Sequence, residues 1–294
     1  SDNSAFGYRA LYSNTTGIYN SAVGRGALEF NTIGINNNAF GVNALRQNTI
    51  GTNNSAFGYQ ALGLNTTGSS NTAVGTYALQ NNIANNNSAF GNQTLLNNTI
   101  GTSNNAFGHV ALSGNTTGSA NNAFGAYALQ KNTIGEHNIA IGDVSLYENL
   151  SGNFNIAIGS SALRQNVSGN NNTAVGYLAL YSNTTGLHNI ALGRNSGGEI
   201  TTGSYNISLG LNSLYYTSTG KNNIAIGNQA LCYNTDGVRN IAIGYQSLRK
   251  STKKSENIAI GTKTLYNWVG YGREILTNIA IGVGSLYGGT TNSG

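Results

Sequence analysis

Asn155-Ile156-Ala157-Ile158-Gly159, repeated as Asn223-Ile224-Ala225-Ile226-Gly227 and Asn240-Ile241-Ala242-Ile243-Gly244, is the stretch that decides how this chain folds. Its glycine recurs at 7, 24, 41, 58, 75, 91, 108, 125, 142, 159, 176, 193, 210, 227, 244, 261 and 282, a spacing of 17 broken by one 16 and a final 21. Numbered from its asparagine, the repeat reads Asn (position 1), variable, Ala, apolar, Gly (5), two variable residues, a small residue (8), Leu (9), two variable residues, Asn-Thr-x-Gly (12 to 15) and two more. A repeat this short cannot hold a helix pair and carries two turn-forming segments, which predicts one solenoid coil with two short strands. The fold class expected is therefore all-β, a parallel β-solenoid of about seventeen coils. It runs as one domain over 1–287, with a Gly/Thr/Ser tail at 288–294. At about 4.7–4.9 Å per coil the stack would reach roughly 80 Å.

Composition agrees with a packed, charge-poor repeat. Proline and methionine are absent, glycine numbers 41, charged residues make up 8% and hydrophobic residues 39%, so the chain has apolar surface to bury and is not a solvated disordered polymer. No run approaches the ~20 apolar residues that cross a bilayer, and Ser1 to Gly7 already belong to the repeat, which points to a soluble chain that is processed or a fragment. The lone Cys232 excludes an intrachain disulfide framework and reads as a partly exposed variant of its position. Sequons such as those at Asn14, Asn65, Asn115 and Asn183 double as Asn-Thr-x-Gly turn chemistry.

Comparison of the copies suggests an inner face. In the first eight coils position 2 is Ser, Asn or Thr and position 4 is Phe or Val; from Asn138 onward position 2 is Ile in all but one coil and position 4 is Ile, Leu or Val. This exchange of volume is what two residues filling one close-packed space require. It predicts that Phe6, Phe40, Ile141 and Ile243 point inward together with Leu11. Position 3 is Ala except at Ser208 and position 5 is always Gly. On that reading another backbone comes close to the Ala/Gly face, either the coil's own turn or, preferred, a neighbouring chain in a parallel homotrimer. The two asparagine columns are read as stacked amides that satisfy the turns.

The phrase Asn-Ile-Ala-Ile-Gly at 155–159 and 223–227 resembles the head repeats of YadA-like trimeric autotransporter adhesins. The string Ala-Val-Gly-Tyr-Leu-Ala-Leu-Tyr-Ser-Asn-Thr-Thr-Gly at 174–186 is similar to repeats of phage tail-fibre proteins. The resemblance covers the whole chain. It implies a trimeric β-roll on a cell surface or virion, working as a fibre or as an adhesin toward host surface molecules.

Chemistry is sparse. His109, His137 and His188 are scattered, the nine acids form no Asp-x-Asp calcium pattern, and no catalytic, metal or cofactor site is expected. Two features stand out from the scaffold. Residues 221–273 hold eight of fourteen basic residues, and Arg249, Lys250, Lys253 and Lys254 are candidates for binding a polyanion. The last spacing of 21 carries an insertion with the single tryptophan, so Tyr266, Trp268, Tyr271 and Arg273 are candidates for a cell-surface glycan or a host surface protein. Nucleic-acid binding and membrane insertion are not expected. The alternative function is ice binding by the threonine column Thr15, Thr32, Thr49, Thr66, Thr99, Thr116 and Thr133. Both ends carry consensus coils rather than polar caps, which predicts continuation into further domains or end-to-end stacking.

Overall fold

The structure, a computed structural model, describes residues 2–252, 255–267 and 277–288. Two compact units divide the chain, Ser1–Ser151 and Gly152–Gly294. The first contains nine three-residue strands, β1 (Ser4–Phe6), β2 (Ser21–Val23), β3 (Asn38–Phe40), β4 (Ser55–Phe57), β5 (Thr72–Val74), β6 (Ser88–Phe90), β7 (Asn105–Phe107), β8 (Asn122–Phe124) and β9 (Ile139–Ile141). The second contains eight, β10 (Ile156–Ile158), β11 (Thr173–Val175), β12 (Ile190–Leu192), β13 (Ile207–Leu209), β14 (Ile224–Ile226), β15 (Ile241–Ile243), β16 (Ile258–Ile260) and β17 (Ile279–Ile281). Within each unit every strand pairs in parallel with the next, alanine on alanine, as in Ala39↔Ala56 or Ala242↔Ala259. Each unit is thus a β-solenoid in which one coil is one repeat, and no helix forms among the described residues.

Only one strand forms per coil, and this corrects the expectation of two. The segment carrying Leu lies instead in the left-handed region at positions 7 and 9: Asn43 has φ 59° and Leu45 φ 48°, and the leucine column keeps φ between 48° and 53° in coil after coil. Such values are uncommon for a non-glycine residue. They persist because the backbone groups they aim along the stack find partners there. Asn43 N–H donates to Arg25 O at 2.9 Å, Leu45 N–H to Ala61 O at 3.0 Å and Thr49 N–H to Thr66 O at 2.9 Å. Around the coil the donors point alternately to the preceding and the following repeat, so the turn as well as the strand is hydrogen-bonded between coils.

The inner face is the opposite of the one expected. Ala39, Ala56, Ala157 and Ala242 are fully buried, whereas Phe40 and Ile141 are 39% and 40% exposed, Phe6 is more exposed still, and Ile243 is half-buried. Positions 2 and 4 therefore point out of the coil. The reason is width: a coil that already encloses a leucine, two asparagines and the small residue at position 8 has room on its strand side only for a side chain as small as alanine or serine. The leucines are inside as expected, with Leu28, Leu45, Leu62, Leu163 and Leu248 fully buried, while Leu11 in the first coil is half-buried. Alanine and glycine therefore answer to the coil itself, not to a neighbouring chain. A Cβ placed on Gly159, at φ +128°, would stand 2.7 Å from Gly176 O of the next coil.

Both asparagine columns lie inside and close the turns. Asn54 N–H donates to Asn37 Oδ1 at 3.1 Å, while Asn37 Nδ2 reaches Gly51 O at 2.8 Å. The second column meets the same carbonyl, with Asn48 Nδ2 donating to Gly51 O at 3.1 Å and to Asn31 Oδ1 at 2.8 Å. A buried peptide group without a partner costs about 1–3 kcal/mol, so these amides stabilise a coil too thin to bring water to its corners. Their burial also agrees with reading the sequons as turn chemistry.

Coil 12 shows how tightly the interior is specified. Gly197 replaces the leucine, and Ile200, in place of the position-12 asparagine, turns inward and is fully buried. A Cβ on Gly197 would lie 3.0 Å from Ile200 Cδ1 and 3.0 Å from Leu180 Cδ2, so isoleucine fills the volume the leucine gave up. Isoleucine has no amide to donate, and Asn183 Oδ1 below it is left buried without a donor. Nearby, Ser208 replaces the alanine and joins a buried hydroxyl chain through Ser196 and Ser213, both at 2.7 Å.

Candidate functional site

With the alanines inside, positions 2 and 4 make two parallel columns on the outer strand face of each unit. In the first unit position 4 is a ladder of Phe and Val beside a column of small polar residues. Phe40 stacks on Phe57 with centroids 5.1 Å apart, and Phe90, Phe107 and Phe124 stack at 4.5 and 4.9 Å. In the second unit both columns are aliphatic over most of their height. Ile156, Ile190, Ile207, Ile224, Ile241 and Ile258 run beside Ile158, Val175, Leu192, Leu209, Ile226, Ile243 and Ile260, with Thr173 the polar interruption. Ile190 and Leu192 are each about two-fifths exposed. Among the described residues of that unit nothing covers this face. Contiguous exposed apolar surface of this kind marks a contact site on soluble proteins.

The threonine column occupies the outer turn. Thr15 Oγ1 donates to Thr32 O at 2.9 Å, Thr32 Oγ1 to Thr49 O at 3.0 Å and Thr116 Oγ1 to Thr133 O at 3.0 Å. Thr49, Thr99 and Thr133 donate to the next coil's carbonyl in the same way. The adjoining position 14 presents exposed Ile33, Ile50, Ile100 and Ile134.

Of the loop residues singled out in the sequence, Trp268, Tyr271 and Arg273 lie outside the described residues, as do Lys253 and Lys254. Tyr266 stacks on Tyr287 at 5.2 Å, and its hydroxyl accepts from Arg249 NH1 at 2.9 Å. The Arg249 guanidinium also lies over the Tyr233 ring, 5.1 Å from the centroid, and its Nε donates to Gln229 Oε1 at 2.9 Å. Lys250 sits 5.6 Å from the Tyr266 centroid. Two residues from the two candidate groups, Tyr266 and Arg249, thus belong to one aromatic and cationic stack, as position-10 residues one repeat apart. Arg239, from the same basic segment, pairs with Glu256.

Buried titratable groups are few. Glu29 is 3% exposed between Arg46 at 2.7 Å and Arg9 at 3.1 Å. The Arg46 hydrogen bond holds its carboxyl below the usual range against the opposing effect of burial. Cys232 is 4% exposed, which corrects the expectation of a partly exposed thiol, and burial pushes it up to about 11. His109 meets the edge of Tyr127 at 5.2 Å, and His188 stacks on Tyr205 at 5.0 Å. Among the described residues no group of three or more His, Cys, Asp and Glu is placed to hold a metal ion, and no helix is long and apolar enough to cross a membrane. Comparison with models of known protein families and with characterised proteins finds no match.

Proposed function

We propose that this chain is a structural fibre or adhesin segment, extracellular, on a cell surface or on a virion, that associates with itself through the outer strand face and acts as a stiff stalk or a repetitive binding surface. The observation that carries this reading is the two-column aliphatic face of the second unit. It is built from in-register parallel strands whose inward residues are alanines matched to the coil, and its outward columns stay partly exposed in the isolated chain. A parallel homotrimer brings identical columns together about one axis, a closed cyclic arrangement that covers all three copies of the stripe. The Ala/Gly face takes no part in this association, since alanine is interior. Stiffness follows from backbone and asparagine hydrogen bonds that link each coil to the next within a unit, and repetition multiplies any weak surface contact. No acid and base converge with a nucleophile among the described residues, which favours a non-enzymatic role.

Ice binding by the threonine column is less well supported, because its hydroxyls already donate within the protein and isoleucine stands beside them. Light scattering on the intact chain tests the main reading: a mass near three times 30.5 kDa is expected, and 30.5 kDa for a folded sample overturns the homotrimer. A freezing-hysteresis assay on the same sample should read zero; a measurable hysteresis would favour the alternative.

A further inference from the structure

Coil 12 opens a feature on the opposite side of the second unit from the apolar strand face. Position 10 there is a column of large side chains, Arg164, Tyr181, Tyr215, Arg249 and Tyr266, interrupted by Gly198 and the smaller Cys232. Without a side chain at that point, a trough of about 370 Å³ is left between positions 7 and 10 of successive coils. Leu178 and Gly198 line it, Tyr181 and Tyr215 flank it, and Arg164, Asn195 and Glu199 supply its polar groups. The Tyr215 ring leans over the glycine, so that a Cβ on Gly198 would lie 2.7 Å from Tyr215 Cε2. Any larger residue would displace the ring and fill the space. Arg164 NH1 donates to the Tyr181 hydroxyl at 2.9 Å, which fixes that ring. The trough is not simply the consequence of a leucine lost to Gly197, because that volume is refilled from inside by Ile200.

Asn195 is held in the wall of the trough, where its Nδ2 donates to Asn212 Oδ1 at 3.1 Å and its Oδ1 is buried out of a ligand's reach. The accessible acceptor is the exposed Glu199 carboxylate, which Ser182 Oγ approaches at 3.5 Å. A carboxylate acceptor set beside aromatic rings matches a molecule with hydroxyl donors on its edge and C–H groups on its face. A volume of this order lies within the range of small-ligand sites. We propose that the trough between Tyr181 and Tyr215 binds a neutral pyranose sugar. Tyr181 and Tyr215 pack against its C–H face, Glu199 accepts from its hydroxyls, and Arg164 donates to a ring or hydroxyl oxygen. Glu199 selects against acidic sugars by charge repulsion. In the first unit the depression beside Gly63, a glycine at position 10 there, is about 70 Å³ and has no aromatic wall, and one of about 130 Å³ has Tyr8 as its single aromatic wall and its carboxylate, Glu29, already paired with Arg9 and Arg46.

This inference gives the adhesin reading a ligand class at residues distinct from the Trp268 loop. It is tested on the intact chain by saturation-transfer-difference NMR with methyl glycosides of glucose, galactose, mannose and N-acetylglucosamine, and with glucuronic acid as the acidic comparator. Transfer to at least one neutral glycoside is expected, reduced about tenfold or more in Glu199→Gln and in Tyr181→Ala. Tyr181→Phe and Trp268→Ala should retain it. No transfer to any neutral glycoside overturns the proposal. So does equal transfer in Glu199→Gln and Tyr181→Ala, or transfer to glucuronic acid as strong as to glucose. Circular dichroism on each variant checks that the fold is intact. The light-scattering mass is a separate readout, so failure of self-association and failure of sugar binding are distinguishable.

Discussion

Replacing Asn172 by aspartate changes one buried NH₂ to oxygen and nothing else in shape, which isolates the contribution of the asparagine columns. In the native coil Asn172 Nδ2 donates to Gly186 O at 2.8 Å and to Asn155 Oδ1 at 3.2 Å, and its Oδ1 accepts from Asn189 N–H at 2.9 Å. In Asn172→Asp the two donations become oxygen facing oxygen, while the bonds accepted from Asn189 N–H and, at 3.2 Å, from Asn189 Nδ2 survive. Two lost bonds at about 1 kcal/mol each, plus the cost of a buried carboxylate with no cation, give an expected loss of about 3–5 kcal/mol at neutral pH. The loss must depend on pH with a definite sign. Burial beside acceptors raises the folded-state value of this acid above its unfolded value of about 3.9. The folded state then binds more protons between the two values, so stability is greatest below about pH 4 and falls as pH rises through the unfolded and then the folded value. Protonation restores one donor and recovers part of the loss. Asn171, one residue earlier, is exposed at φ 57°, and Asn171→Asp should shift stability by less than about 0.5 kcal/mol. Urea unfolding followed by circular dichroism at pH 3.5 and pH 7 measures both. A wild-type midpoint for Asn172→Asp at pH 7, or an Asn171→Asp variant as damaged as it, would refute the role given to the buried amides.

Gly159→Ala should destabilise its unit by at least about 2 kcal/mol, since φ is +128° and the new methyl meets Gly176 O; a thermal midpoint unchanged from wild type would contradict this. Ile200→Asn and Gly197→Leu should each cost about 1–4 kcal/mol, by void and by overpacking respectively, whereas the double substitution rebuilds the consensus coil and should recover most of the loss; additive losses in urea unfolding would show that the two sites do not share one volume. Ile243→Asp should leave the folded coil within about 1 kcal/mol of wild type, because the side chain points outward, and should act on association instead; a large drop in the unfolding midpoint of the unassociated chain would restore the inward assignment. Cys232 should react slowly with a thiol reagent at pH 8 and faster as pH approaches about 11; rapid labelling at pH 8 without denaturant would show that the thiol is not buried.

The period, the one-coil-per-repeat architecture, the parallel alanine-on-alanine register, the buried leucine and the asparagine ladders were all legible, because each follows from identical residues stacking on themselves. The inward face was not. Exchange of Ser4-plus-Phe6 for Ile139-plus-Ile141 reports that two columns touch, and adjacent columns touch equally well outside a coil. The signal that bore on direction was the constancy of alanine, since a thin coil forces small residues inside while an outer face accepts anything from Val23 to Phe40. The missing second strand had no signal at all, because leucine at φ near 50° contradicts its ordinary preference and is imposed by contacts between coils. The trough at Gly198 was detectable only as a glycine interrupting a column of Tyr and Arg, and the refilling of the core by Ile200 is what separates it from a simple cavity.

Disulfide cross-linking at the strand face measures most directly whether copies of this chain meet there. In a Cys232→Ser background, Ile243→Cys places a thiol on the outer column of β15, and Asp236→Cys places one on the exposed turn of the preceding coil. Under mild oxidation the account predicts a covalent dimer in high yield from Ile243→Cys and almost none from Asp236→Cys, because identical residues approach one another only along the shared axis. Efficient cross-linking at residue 236 with none at residue 243 would contradict it and place any association on the turn side of the coil.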